Sequence, residues 1–263
     1  MCTDANYNLD NELIEVFKKS LEEEISQTGK GILKQIVMNA EIAREEDFPL
    51  CQDTGFAVVF MELGQDVHVT GGYLYDAISE GVRTGYKDLR KSIVRHPLIR
   101  ENTRDNTPPV IHTKIVSGDK IKITLMPKGG GGENASGLTM LKPSEGIDGV
   151  KNFVLKVIKD AKGNPCPPVV VGVGIGGTFE KVALLAKKAL MRPIGEKSAI
   201  PDIARLEEEL LKDINKTGIG PQGIGGRITA VAVNIEIFPA HIASLPVAVN
   251  INCHVHRHKS VVL

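Results

Sequence analysis

Short apolar runs bounded by glycine and proline alternate along this chain with longer segments whose apolar residues recur at helical spacing. Phe56 to Leu63, Val169 to Val173 and Leu245 to Asn252 have strand length and strand composition. Residues 9–27, a segment from Ile32 to just before Pro49, Leu74 to Tyr86, Ile147 to Ala161, Thr178 to Leu190 and Pro201 to Asn215 each carry one apolar stripe. Gly29-Lys30-Gly31 is expected to break the first two helices apart. Val67 to Thr70 reads as a short β segment, and Arg227 to Ile237 as a strand. Val110 to Val116 and Lys120 to Met126 alternate apolar with polar around Ser117-Gly118-Asp119, which predicts a hairpin. This alternation predicts a mixed α/β fold: a single compact domain over residues 1–263, of sheets covered by helices. No stretch is long or polar enough to read as a linker. With 27 glycines and no tryptophan, backbone turns carry much of the architecture.

Charge and hydropathy narrow the function. Lys+Arg and Asp+Glu both number 32, which argues against a nucleic-acid or anionic-membrane surface as the main business. No apolar run reaches transmembrane length, and the polar opening MCTDANYNLDNE lacks a signal-peptide core, so a cytoplasmic protein is expected. Cys2, Cys51, Cys166 and Cys253 form neither a disulfide framework nor a CxxC zinc pattern. In a reducing compartment such cysteines are inert, catalytic or metal-bound.

Cys51-Gln52-Asp53-Thr54-Gly55 sets five chemically useful residues on a turn before an apolar strand. A thiol suits a soft metal, and the neighbouring carboxylate suits proton transfer. A buried cysteine beside an Asx-turn is the plain alternative. Leu89 to Pro109 is polar and irregular, readable as a solvated loop. Pro127 to Asn134 holds four consecutive glycines between Lys128 and Asn134, and suits close backbone approach to an anion or a flexible link. In Asn164-Pro165-Cys166-Pro167-Pro168, prolines fix φ and remove donors around the thiol. A second glycine-rich loop, Thr217 to Gly226, feeds the strand after it.

Three constellations stand beside these plain readings. Gly172-x-Gly174-x-x-Gly177 formally matches a dinucleotide turn and would make a nicotinamide-binding oxidoreductase, but Leu190 to Glu196 makes a poor second strand. His254, His256 and His258 would share one face of a strand and, with Cys253, could hold zinc in an interaction module. A third reading joins Cys51, Cys166 and Cys253: three thiolates and one open corner suit an iron–sulfur cluster with an exchangeable iron. Their long separations carry no geometric information, so spacing leaves these readings open.

Together, Cys51 to Gly55, Lys128 to Gly131, Asn164 to Pro168, Val171 to Gly176 and Gly218 to Gly223 resemble the class I iron–sulfur fumarate hydratase family and its sister, L-tartrate dehydratase. The resemblance runs from about residue 10 to the end in motif order, and is to the α subunit of the two-subunit form. It implies a mixed α/β fold with cluster loops gathered at one face, and an oxygen-sensitive hydro-lyase. It further implies a [4Fe–4S] cluster with one open iron site on Cys51, Cys166 and Cys253. Asp53 would be the proton-transfer residue, with Gln52, Arg90, Gly131 and His241 at positions that contact a small dicarboxylate. A separate β subunit would complete the site, in an α₂β₂ assembly. The Lys128 to Asn134 loop resembles that of fumarases, so hydration of fumarate is the expectation, with L-tartrate or mesaconate as alternatives.

Overall fold

The computed structural model describes residues 1–263. In chain order the elements are α1 (Cys2–Tyr7), α2 (Asn11–Glu23), α3 (Gln27–Glu45), β1 (Phe56–Gly64), α4 (Leu74–Gly85), β2 (Val110–Val116), β3 (Ile121–Lys128) and α5 (Gly130–Asn134). There follow β4 (Gly137–Leu141), α6 (Gly146–Ala161), β5 (Val169–Gly176), α7 (Phe179–Ala189), α8 (Pro201–Asn215), β6 (Ala230–Phe238), β7 (Leu245–Asn252) and β8 (Lys259–Val262). The expected mixed α/β class is what the chain adopts. Its contacts group into a first unit, Met1–Asp10 with Ala40–Gly130 and Arg257–Leu263, and a second, Asn11–Asn39 with Gly131–His256. No helix is long and apolar enough to cross a membrane.

The first unit is built on the sheet β2-β1-β3-β8. β1 pairs parallel with β2 and antiparallel with β3. Here the sequence reading needs correction: β2 and β3 follow one another but do not form a hairpin, because β1 lies between them. The most apolar strand, FAVVFMELG, takes an interior position, while VIHTKIV, largely exposed, takes an edge. The Ser117-Gly118-Asp119 link therefore spans two strand spacings, roughly 9.5 Å. The end of β1 is fastened inside it: Gly64 N–H donates to Lys120 O at 2.8 Å, and Gln65 N–H to Val116 O at 2.8 Å. A Cβ at Gly64 would stand 2.4 Å from Gly118 O, so only glycine fits. Val67 to Thr70 forms no strand. Helices α1 and α4, with Tyr86 just after α4, cover the sheet through Cys2, Val82 and Tyr86 against Ala57, Val59 and Leu125. The short α1, unanticipated in so polar an opening, buries Cys2, and burial pushes that thiol's pKa up to about 11.

The second unit is built on the sheet β4-β7-β5-β6. α6 and α8 pack their apolar stripes on Val169, Val171 and Val173 of β5 and on neighbouring strands. α7 covers the other face, where Gly172 and Gly174 point. A Cβ at either would lie 2.2 or 2.3 Å from a main-chain oxygen of α7, Ala186 O or Val182 O. These glycines thus serve close helix–strand packing. Leu190 to Glu196 forms no strand, which removes the dinucleotide reading. The break between α2 and α3 falls at Glu24 to Ser26 rather than at the glycines, which lie inside α3. Glu24, 1% exposed, accepts main-chain N–H bonds from Ile25, Ser26, Arg227 and Ile228 at 2.8–2.9 Å. It ties this bend to the exit of the second glycine-rich loop.

Candidate active site

In the first unit, the turn Cys51 to Gly55 leads into β1, and the Asp53 carboxylate, the Thr54 hydroxyl and the carbonyls of both residues are engaged. The Asp53 carboxylate accepts Gly55 N–H on Oδ1 at 2.9 Å and Gly130 N–H on Oδ2 at 2.7 Å. The first is an Asx-turn, the second ties the turn to the glycine run after β3. Asp53 N–H points at Cys51 Sγ, 3.4 Å away. Behind the turn, Tyr86 Oη donates to Thr54 O at 3.0 Å, and Arg257 Nη2 donates to Asp53 O. Burial, with Cys2 close by, pushes the Tyr86 phenol far above its ordinary range, so it stays a donor. The buried Thr54 Oγ1 donates to Arg90 O at 2.6 Å. Asn106 Nδ2 donates to the same oxygen at 3.2 Å, and its Oδ1 accepts Ser92 N–H at 2.7 Å. So the start of the 89–109 stretch, readable as a solvated loop, is stapled to the Asp53 turn. Cys51 is half-buried, while the Gln52 and Arg90 side chains are exposed. The structure thus sets Cys51, Gln52 and Asp53 on one turn and fixes the main chain of Arg90 against it.

In the second unit, Cys166 precedes β5 and Cys253 follows β7. Val170 pairs with Asn252, so both thiols lie at one end of the β5–β7 pair. Cys166 is exposed, with a φ of +54°, and Cys253 is half-buried. The Cys166 carbonyl accepts His254 N–H at 3.3 Å and lies 3.0 Å from His254 Nδ1. Gln222 donates to Pro167 O from its main chain at 2.8 Å and from Nε2 at 3.2 Å, and Nε2 lies 3.1 Å from His254 Nδ1. Gln222 and His254 therefore hold the cysteine loop, roles that sequence reading missed because their partners are distant in the chain. Gly131 abuts this loop: a Cβ there would be 3.2 Å from Asn164 O. A cleft of about 570 Å³ opens beside it, lined by Gly131, Asn134, Ser136, Phe153, Lys156 and Asn164 among others.

The zinc reading needs correction. Residues 253–258 form no strand. His254 turns to Cys166 and Gln222 while His256 Nδ1 lies 2.9 Å from Asn252 Nδ2, so the histidines share no face. Within each of the two units, no three or more His, Cys, Asp or Glu side chains come together as a metal group. His241 follows β6, whose Phe238 pairs with Gly176 at the far end of β5 from Cys166. With seven strand steps between Val169 and Gly176, that end is roughly 23 Å away. Exposed there beside Phe179, Phe238 and Ile242, His241 is not brought to the cysteines of its own unit.

Polar turns, exposed or half-buried thiols and a pinned carboxylate are the furniture of an enzyme site, and the comparisons give it a class. The profile of the family described as fumarate hydratase (Fumerase) matches residues 1–262. The chain is 47% identical over 255 residues to a protein of Methanocaldococcus jannaschii named "Putative L(+)-tartrate dehydratase subunit alpha", covering 94% of this chain and 88% of that one. It is 34% identical over 251 residues to the L(+)-tartrate dehydratase subunit alpha of Escherichia coli strain K12, covering 94% and 83%. The chain belongs to the fumarate hydratase family and is a hydro-lyase.

Proposed function

We propose that this chain is the α subunit of a two-subunit iron–sulfur hydro-lyase that adds water reversibly to fumarate, giving L-malate. The observation that carries the reading is the Asp53 carboxylate, held by two N–H groups beside the Cys51 thiol on a turn that also fixes the main chain of Arg90. In this reading Asp53 moves the proton to or from the substrate hydroxyl oxygen. The Arg90 guanidinium pairs with a substrate carboxylate, an arrangement that favours charge-assisted bonds. The Gln52 amide and the Gly131 N–H orient the dicarboxylate.

Cys51, Cys166 and Cys253 are the thiols we assign to a [4Fe–4S] cluster. Each stands on a loop and reaches solvent, in contrast to Cys2, which is buried and held protonated. The Arg257 guanidinium, 3% exposed, leaves Nε and Nη1 without protein partners behind the Cys51 turn, so the turn carries a positive charge that suits an anionic thiolate–iron group. When bound, the cluster supplies an open Lewis-acid iron that makes hydroxide a better leaving group.

The relatives' names, "subunit alpha", support a β subunit partner. That partner would contribute the C3 base and further cationic side chains and would exclude water, in an α₂β₂ assembly of two-fold symmetry. The same names favour a second reading, dehydration of L(+)-tartrate to oxaloacetate. The test is anaerobic reconstitution of the chain with its β subunit, assayed on fumarate and on L(+)-tartrate. The expected result is a higher kcat/KM for fumarate and no turnover from the chain by itself. A higher kcat/KM for tartrate installs the second reading, and full activity without the β subunit removes the partner.

A further inference from the structure

Arg257 lies at the start of the last segment of the first unit and is almost wholly buried. No carboxylate pairs with it in any ion pair of the chain. Its one hydrogen bond goes to the main-chain oxygen of Asp53, while Nε and Nη1 face no protein acceptor. A buried guanidinium with two unmet donors is costly, and an apolar side chain of similar length would serve the core at least as well. Position explains its presence. Arg257 and Tyr86 cap two successive carbonyls of the turn, Asp53 O and Thr54 O, from the buried side. With both peptides fixed, Gly55 N–H is aimed at Asp53 Oδ1, and the carboxylate keeps one direction.

We propose that Arg257 is a positioning residue for Asp53: its charge-assisted bond to the Asp53 carbonyl locks the turn and so fixes where the carboxylate points. The catalytic consequence rests on the function proposed above; the structural one does not.

The test therefore has two arms on Arg257→Met and Arg257→Lys. In the chain without cluster, amide hydrogen exchange is read by NMR at Gly55 and Gly130, the two donors to Asp53, and at Val59 and Leu125 in the sheet. Exchange at Gly55 and Gly130 is expected to rise at least about tenfold in Arg257→Met, with Arg257→Lys intermediate and the sheet amides unchanged. Melting temperature is expected to stay equal or rise in Arg257→Met, which a purely structural residue would not permit. In the reconstituted enzyme at equal iron content, kcat is expected to fall about 10- to 100-fold with KM within about twofold, partly rescued by lysine. Unchanged exchange at Gly55 and Gly130 would overturn the proposal. So would a general rise across the sheet with a lowered melting temperature in both variants. If Arg257→Met does not fold, Arg257→Gln takes its place under the same criteria. Altered exchange with no hydro-lyase activity in the wild type would instead count against the proposed function alone.

Discussion

The Cys51 turn of the first unit and the Cys166 loop of the second present their thiols by different means. Around Cys166 the chain itself is stiff: Pro165, Pro167 and Pro168 restrict φ, and two side chains, Gln222 and His254, meet the remaining carbonyls. Around Cys51 no residue is stiff. The turn Gln52-Asp53-Thr54 is ordered from outside, by Tyr86, Arg90, Gly130 and Arg257. A loop with built-in rigidity can leave its thiol exposed and needs few braces. A loop that also presents a carboxylate is buried on its far side and braced there by side chains from other segments. In the function proposed here, that difference would divide the labour between holding a ligand and aiming a proton carrier.

Exchanging the thiols breaks the comparison most severely. Cys51→Ala, Cys166→Ala and Cys253→Ala are each expected to abolish the iron–sulfur spectrum of anaerobically purified protein, whereas Cys2→Ala leaves it intact; iron and sulfide analysis checks this. Normal cluster content in any of the first three would return that cysteine to a packing role. Next in size is Asp53→Asn, which keeps the acceptor to Gly55 or Gly130 but carries no titratable proton. Turnover should fall about 10²- to 10⁴-fold at normal iron content. Wild-type kcat would make the carboxylate a turn former only.

Glu24→Gln probes the ground beneath the second loop, since Glu24 fastens Arg227 and Ile228 at the exit of the segment carrying Gln222. Burial pushes the Glu24 carboxyl up, but four main-chain donors outweigh it and hold the pKa below the ordinary carboxylate value. A depressed folded pKa contributes stability that is complete above the unfolded value, about 4.3, and is lost as pH falls through the folded one. Denaturant unfolding should show the variant weaker by about 1–3 kcal/mol at pH 7. That gap should narrow below pH 4; a gap independent of pH would contradict the sign. Smallest is Gln222→Ala, which deletes the side-chain bond to Pro167 O but keeps the main-chain one. The expected cost is about 0.5–1.5 kcal/mol, with faster iron loss to a chelator. Thr54→Val, which removes the buried bond to Arg90 O, should cost more than Gln222→Ala if the Cys51 turn depends on external braces as argued. The reverse order, measured by the same unfolding curves, would dissolve the distinction between the two loops.

Much of this was legible in the sequence, for reasons that are local. Helical spacing of apolar residues identifies the buried faces of α6 and α8, because one turn of helix sets which side chains share a face; in α4 only Val82 of the apolar stripe is buried. Apolar runs mark β1, β5 and β7, and turn chemistry places Cys51, Asp53 and Cys166 on loops. The sequence also carried the motif order that assigns the family.

What only the tertiary structure decided is who stands next to whom. β1 inserts between β2 and β3 because the most apolar strand gains most inside a sheet, and no signal in the Ser117-Gly118-Asp119 turn reports that gain. Likewise, Gly172 and Gly174 look like a phosphate turn until α7 is seen lying on them. His241 stands a fixed number of residues before Cys253, yet strand direction carries it to the opposite end of its sheet. Arg257 reads as one more charge in a basic tail, and its meaning comes from a carbonyl 204 residues away in the chain. Periodicity records the face each residue turns inward; burial and strand order, which depend on the whole chain at once, choose its partner.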